Sequence, residues 1–136
     1  MGNFSSIDIS ASGLFAQRQR LDVIANNIAN AGTTRTPEGG PYRRKEVLFK
    51  THLTEQEGEL AGVEVAGVAE DGNPPNMVYD PGHPDAGPDG MVAMPNVNPV
   101  QEMVDMISAT RAYEANVQAI NSARSMGSKA LEIGRG

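Results

Sequence analysis

Apolar positions recur at helical spacing at both ends of the chain and lose that spacing in between. Near the start, Ile7, Leu14, Leu21 and Ile28 stand seven residues apart. Ala11, Ile24 and Ala25 share their flank, and Arg18, Gln19, Asp22 and Asn26 lie opposite. An apolar stripe of this width predicts an amphipathic helix over 7–30. Ser5 or Ser6 is the expected N-cap, Asp8 suits the first turn, and Gly32 is the expected stop. Near the end, Met103, Met106, Thr110, Tyr113, Val117, Ile120, Gly127 and Leu131 follow steps of three and four, with Arg124 interrupting the stripe and Gly127 weakening it. Ala109, Ala112, Ala115, Ala119, Ala123 and Ala130 crowd alongside, adding helix propensity and room for close approach. The spacing predicts a second helix over 99–132, with Asn98 as N-cap and Pro99 in the first turn. At 1.5 Å per residue the two helices would be about 36 and about 50 Å long.

All nine prolines lie between Pro37 and Pro99, so long helices are confined to the two ends. In between, Tyr42–Thr51 reads as a strand whose basic run suits an exposed edge, and Val63–Ala69 alternates as a strand does. Met77–Tyr79 and Met91–Met94 are short apolar runs bounded by turn residues. The expected fold class is α+β: long N- and C-terminal helices pairing as a coiled coil, with a small β-rich, Pro/Gly-rich middle insertion. The expected segments are 1–36, 37–98 and 99–136, with the two helices forming one discontinuous domain.

Composition adds that this chain is poorly equipped to close a core alone. It has 136 residues, 39% of them hydrophobic and only six aromatic (Phe4, Phe15, Tyr42, Phe49, Tyr79 and Tyr113), so the missing burial is expected from other chains. The net charge of −6 argues against nucleic acid as a partner. Charge is also segregated: net +3 over 1–50, −9 over 51–95 with no Lys or Arg, and zero over 96–136. The acidic middle is expected to face solvent or a basic partner surface. There is no cysteine, which removes disulfides and thiolate chemistry. No apolar run is long enough to span a bilayer, and residues 1–8 lack the pattern of a secretory signal, so export is expected to take another route.

Each catalytic template lacks a part. Asp80, His83 and Asp85 read as a proline-rigidified turn, with no HExxH and no second histidine nearby; no serine sits in a GxSxG context. Glu55, Glu57 and Glu59 lack the aromatic platform of a sugar site, and Gly39-Gly40-Pro41 lacks the lysine and helix of a phosphate loop. No enzyme, metal or cofactor is expected. Two stretches carry more information. Asn26, Asn27 and Asn30 crowd the end of the first helix, either as a loosening terminus or as hydrogen-bonding groups between helices. Tyr42, Arg43 and Arg44, followed by Lys45, form either a turn into an exposed strand or a docking loop for an acidic neighbour. Because each apolar stripe is longer than the middle segment could cover, packing between chains is the expected use of Ile7, Leu14, Leu21, Ile24, Ile28, Met103, Met106, Thr110, Tyr113, Val117 and Ile120.

The stretch Leu21-Asp22-Val23-Ile24-Ala25-Asn26-Asn27-Ile28-Ala29-Asn30-Ala31 resembles the N-terminal signature of bacterial flagellar rod and hook proteins. Tyr113-Glu114-Ala115-Asn116, within the Met103–Ile120 helix, resembles their C-terminal signature. Gly39-Gly40-Pro41-Tyr42-Arg43-Arg44, Tyr79-Asp80-Pro81-Gly82-His83-Pro84-Asp85-Ala86 and Met94-Pro95-Asn96-Val97-Asn98 are similar to the proximal rod branch, the FlgC type. Ala31-Gly32-Thr33-Thr34-Arg35-Thr36 replaces the Asn-Thr-x-Gly-Tyr continuation of other axial members, which favours that branch over hook or distal rod. The resemblance implies a non-enzymatic structural subunit of the flagellar basal-body rod, crossing the periplasm and exported by the flagellar type III system without a cleaved signal peptide. It implies as partners the other proximal and distal rod proteins, the export-gate adaptor, and copies of itself or close paralogues. It also implies terminal helices that pair and pack around a central channel, with Asn26, Asn27, Asn30 and Asn116 as the polar motif positions. A rival class, a soluble acidic binding module or export regulator, requires a stable folded monomer.

Overall fold

A computed structural model describes residues 2–53 and 60–136, with side chains described from 6 to 53 and from 62 to 136. In chain order it holds α1 (Gly2–Ala29), β1 (Lys45–Leu53), β2 (Leu60–Glu70), β3 (Asn76–Tyr79), β4 (Met91–Met94) and α2 (Pro99–Arg135). Proline placement accounts for this division: Pro99 occupies the first position of α2, where its missing N–H costs nothing. The Asn98 side chain caps that end by accepting from Val100 N (3.1 Å) and Gln101 N (3.3 Å).

The start of α1 departs from expectation. The helix reaches back to Gly2, so Ser6 and Asp8 lie within it and not at its cap; the Ser5 side chain falls outside the described ones. No proline interrupts residues 2–6, and serine costs a helix only a few tenths of a kcal/mol. The helix also closes before Gly32, where Ala31 N bonds to Ile28 O (3.2 Å) and Thr33 N to Asn30 O (3.0 Å).

The two helices pack against each other antiparallel. Asn27 meets Glu102, and Gly13 lies so close to Asn116 that a Cβ there would stand 2.9 Å from its Nδ2. Both contacts are fourteen residues apart on each helix, so the register is constant between them. The less exposed line of α2 runs through Glu102, Met106, Ala109, Tyr113, Asn116, Ile120, Ala123 and Gly127, with Asp105 and Ala112 at its edge. Met106, Tyr113 and Ile120 stand on this line as the periodicity placed them. Met103, Thr110 and Val117 are exposed instead, and Glu102, Ala109 and Asn116 take the inner positions. On α1, Ile24 is buried and Ile7, Leu14, Leu21 and Ile28 are half-buried, whereas Ala11 and Ala25 are exposed and share the outer face of Arg18 and Asp22. Leu131 is also exposed, in the part of α2 that extends past the register partner of Gly2.

The middle forms two separate antiparallel hairpins. In one, β1 pairs with β2 from Lys45↔Glu70 to Leu53↔Leu60; in the other, β3 pairs with β4 from Asn76↔Met94 to Tyr79↔Met91. The first hairpin lies along α1. Lys45 sits beside Asn27, while Val63, the partner of Thr51, donates its N–H to Ser12 Oγ (3.0 Å). Six strand residues advance about 20 Å and fifteen helix residues about 22 Å, so strand and helix keep pace. Gly62 makes the close approach possible: its φ is +143°, and a Cβ there would fall 2.4 Å from Ser12 Oγ. Glu55, Glu57 and Glu59 lie outside the described residues.

Few apolar groups are fully covered. The buried hydrophobic residues among those described are Ala16, Ile24, Val92, Val97 and Ala109. The accessible surface is 9374 Å², against about 6,800 Å² for a folded monomer of this mass. The surplus of about 2,500 Å² belongs to an extended shape in which most of α2 stands uncovered.

The small-residue contact at Gly13 generates a prediction. Gly13→Leu forces Asn116 away from its bond to Ala112 O and should cost roughly 1–3 kcal/mol of stability. Gly127→Ala, where a Cβ meets nothing within 4 Å, should instead gain up to about 1 kcal/mol. Urea unfolding of the two variants checks both signs.

Candidate functional site

The residues that bring the segments together form a polar knot at the junction of both helices with the first hairpin. At its centre Asn27, buried near the end of α1, uses its whole amide. Nδ2 donates to Lys45 O (2.9 Å) and Glu102 Oε2 (3.2 Å), while Oδ1 accepts from Lys45 N (3.0 Å) and the Tyr42 hydroxyl (2.9 Å). Two donors and two acceptors meet four partners, which saturates the group.

Glu102, in the first turn of α2, is fully buried. Its second oxygen accepts from Arg44 Nε. The Arg44 guanidinium also pairs with Glu46, Asp71 (3.4 Å) and Asp105 (3.7 Å). Its backbone is held as well: Arg44 N donates to Asn96 Oδ1 (2.9 Å), and Asp71 N donates to Arg44 O (2.7 Å). Asn96 in turn donates to Asn73 O (3.0 Å) and Asp71 O (3.4 Å). The end of α1, the loop entering β1, the end of β2, the segment after β4 and the start of α2 therefore converge on one arginine and one asparagine.

Burial works against the Arg44 charge, but the hydrogen bonds and charges of Glu46 and Glu102 outweigh it and hold the guanidinium above its usual range. Tyr42 is pushed up by burial first, then by the Glu102 and Glu70 charges. A second clasp ties the loop after α1 to the turn after β3. Thr34 Oγ1 donates to Asp85 Oδ2 (2.7 Å) and Arg35 pairs with Asp85 Oδ1. The Thr34 bond, followed by that of Arg35, lowers the Asp85 carboxyl below its usual range. His83 Nδ1 accepts from Asp85 N (3.0 Å), in keeping with a turn.

The structure distributes the candidate residues unevenly. Asn27 bridges the helices; Asn26 is exposed and its carbonyl accepts from Asn30 N and Nδ2; Asn30 Oδ1 accepts from Thr33; and Asn116 bonds its own helix beside Gly13. Of the loop trio, Tyr42 and Arg44 turn their polar atoms inward and Arg43 is exposed. The acidic middle also finds basic partners within the chain, in Arg35–Asp85, Arg44–Asp71 and Lys50–Glu64. The residues missed by sequence reasoning are Glu102, Asn96, Asp71 and Asp105. One signal was available: Glu102 stands four residues before Met106, on the same helical line as Ala109 and Tyr113.

Comparison with known proteins matches both ends of the chain. Residues 7–35 fit the family model described as flagella basal body rod protein, and residues 89–133 fit the C-terminal model of the flagellar basal body rod FlgEFG proteins. The flagellar basal-body rod protein FlgC of Borreliella burgdorferi is 49% identical, the alignment covering all of both chains. The FlgC proteins of Bacillus subtilis and Escherichia coli are each 44% identical over 99% of this chain and all of theirs. The chain belongs to the FlgC family of flagellar basal-body rod proteins. In this FlgC-family chain the two matched regions carry the opposite halves of the knot, Asn27 on one and Glu102 with Asn96 on the other. No described helix is long and apolar enough to cross a membrane.

Two predictions follow from the knot. Glu102→Ala leaves Arg44 facing an emptied buried position and should cost about 3–5 kcal/mol. Glu46→Ala, at an acid that is 53% exposed, should cost no more than about 1 kcal/mol. Chemical denaturation of the two variants separates these outcomes. Two titrating groups contribute to the pH dependence of stability. Asp85 is lowered in the folded chain, so its contribution is complete above the unfolded carboxyl range and is lost as pH falls through its folded value. Tyr42 is raised, so its contribution is complete below about pH 10 and is lost as pH climbs through its higher folded value. Asp85→Asn should flatten the acid limb of a stability–pH profile, and Tyr42→Phe the alkaline limb.

Proposed function

We propose that this chain is a structural subunit of the proximal rod, carrying torque through side-by-side packing of its two terminal helices with those of neighbouring subunits around the export channel. The observation that carries the reading is the uncovered surface, about 2,500 Å² beyond what a compact monomer leaves exposed. A shaft needs stiffness along its axis, and a pair of helices about 42 and about 55 Å long supplies it. The alternating four- and three-residue spacing of the inner line of α2 supports a coiled coil, and the helices together form one discontinuous domain, 1–36 with 99–136, carrying the middle segment 37–98 as an insertion. The partners in this reading are the other proximal and distal rod proteins, the export-gate adaptor beneath them, and copies of this chain. Export runs through the flagellar type III apparatus, and full ordering of the helices accompanies assembly, because helices without neighbours are marginal in water.

A soluble binding module would need a closed core. The sparse buried set and the exposed Val100, Met103, Val104 and Ile107 weigh against it. Val117→Asp, at an exposed position, and Leu21→Asp should both abolish incorporation into the rod while secretion continues. Wild-type swimming by cells carrying either variant contradicts the packing reading.

A further inference from the structure

The outer faces of the two helices carry matching lines. On α1, Ala11, Phe15, Arg18, Asp22, Ala25 and Ala29 are all exposed and follow steps of four and three. On α2, Met103, Ile107, Thr110, Glu114, Val117 and Asn121 are all exposed and follow the same steps. Phe15 is 61% exposed, Met103 53% and Ile107 56%. The side chains of Arg18, Asp22, Arg111 and Glu114 make no hydrogen bond or ion pair among the described residues.

Laid antiparallel, the lines fit in one register. Arg18 falls opposite Glu114, and Asp22 falls opposite Thr110 with Arg111 beside it. Phe15 meets Val117, while Ala25 and Ala29 leave room for Ile107 and Met103. Ile107 and Met103 then meet small residues, Phe15 meets the apolar Val117, and each charge has an opposite one facing or beside it. Sliding by one heptad destroys the match: Asp22 would face Met103 in one direction and Val117 in the other. From these observations we infer that the outer face of α1 in one copy docks on the outer face of α2 in a second copy of this chain. The inference rests on the rod-subunit reading and assigns residues to it.

The contact joins two different faces, so it is head-to-tail and leaves a free face at each end for a further copy. Its register lies three residues from the internal one, in which Asn27 meets Glu102. Three residues correspond to about 4.5 Å along parallel axes, so successive copies climb as a helix. A standard interface covers about 800 Å² on each partner, and the surplus surface accommodates both faces with area left for other neighbours.

The chain has no cysteine, so introduced thiols react only with each other or with other proteins. The test co-expresses Ala25→Cys and Ile107→Cys as separate copies in motile cells, isolates basal bodies and oxidises them. A disulfide-linked dimer at twice the chain's mass is expected, and Ala25→Cys with Glu114→Cys, one heptad away, should give none. In parallel, Arg18→Glu and Glu114→Arg should each lower recovery of the chain in basal bodies several-fold, and both substitutions together should restore it. If a cysteine variant fails to enter the rod, restoration by the charge-reversed pair supports the register and failure to restore overturns it. Rods that contain both cysteine variants yet yield no dimer overturn the inference and leave the rod reading standing, as does a cross-link from Ala25→Cys to a different rod chain. Absence of the unmodified chain from purified basal bodies overturns the rod reading and this inference with it.

Discussion

Glu102 is a carboxylate with no exposed surface, held in the first turn of α2 by groups from elsewhere in the chain. A charge removed from water is tolerated only when its partners answer both oxygens. Here Arg44 answers one and Asn27 the other, and both are fixed by further bonds to Tyr42, Lys45, Asn96 and Asp71. The rest of the structure depends on that arrangement. The seam between the helices mixes small and polar groups, such as Gly13, Ala109 and Asn116, with Leu14, Met106, Tyr113 and Ile120, which are only half-buried. What sets the register of α1 against α2, and the position of the first hairpin along α1, is the geometry that the buried pair demands. Buried ion pairs are poor sources of net stability, yet removing one partner is costly, so the arrangement tolerates little change in geometry. That suits a subunit whose shape has to be right before its surfaces are covered.

The same economy accounts for the surplus surface. Among the described residues the buried hydrophobic ones are few, Ala16, Ile24, Val92, Val97 and Ala109, so much apolar surface stays in water while the chain is alone. Both helices present ordered lines of apolar and charged residues outward, so the unused burial is arranged in directions that other chains can reach. In the proposed reading the inner face makes the subunit and the outer faces are left for the assembly. Membership of the FlgC family, over the full length of the chain, gives that arrangement its setting in the flagellar rod.

Much of this was legible from residue types alone. The Asn98-Pro99 cap of α2, the strand Met91–Met94 and the confinement of helices to the proline-free ends all follow from local chemistry, and the structure carries them. The serine cap of α1 does not hold, because a serine inside a helix costs less than the turns gained by continuing to Gly2. The inner line of α2 lies one position from the apolar one at three places, with Glu102, Ala109 and Asn116 inside and Met103, Thr110 and Val117 outside. Hydropathy places a glutamate in water; only the distant partners Arg44 and Asn27 make burial of Glu102 sensible. Asn27 is an unusual helix residue, but its partners come from the entry to β1 and from α2, and no local pattern names them. Arg44 likewise looked like one of three exposed cations until the fold gave it acids of its own.

Segment-resolved amide hydrogen exchange, on the free chain and on intact rods, tests the central claim most directly. In the free chain the account predicts slowest exchange around the knot, in residues 24–30, 42–47 and 100–106, with protection falling along both helices towards 6–12 and 117–135. In the rod, both helices should be protected throughout. Strong and uniform protection along all of α1 and α2 in the free chain would contradict it, because the chain would then close its core without neighbours.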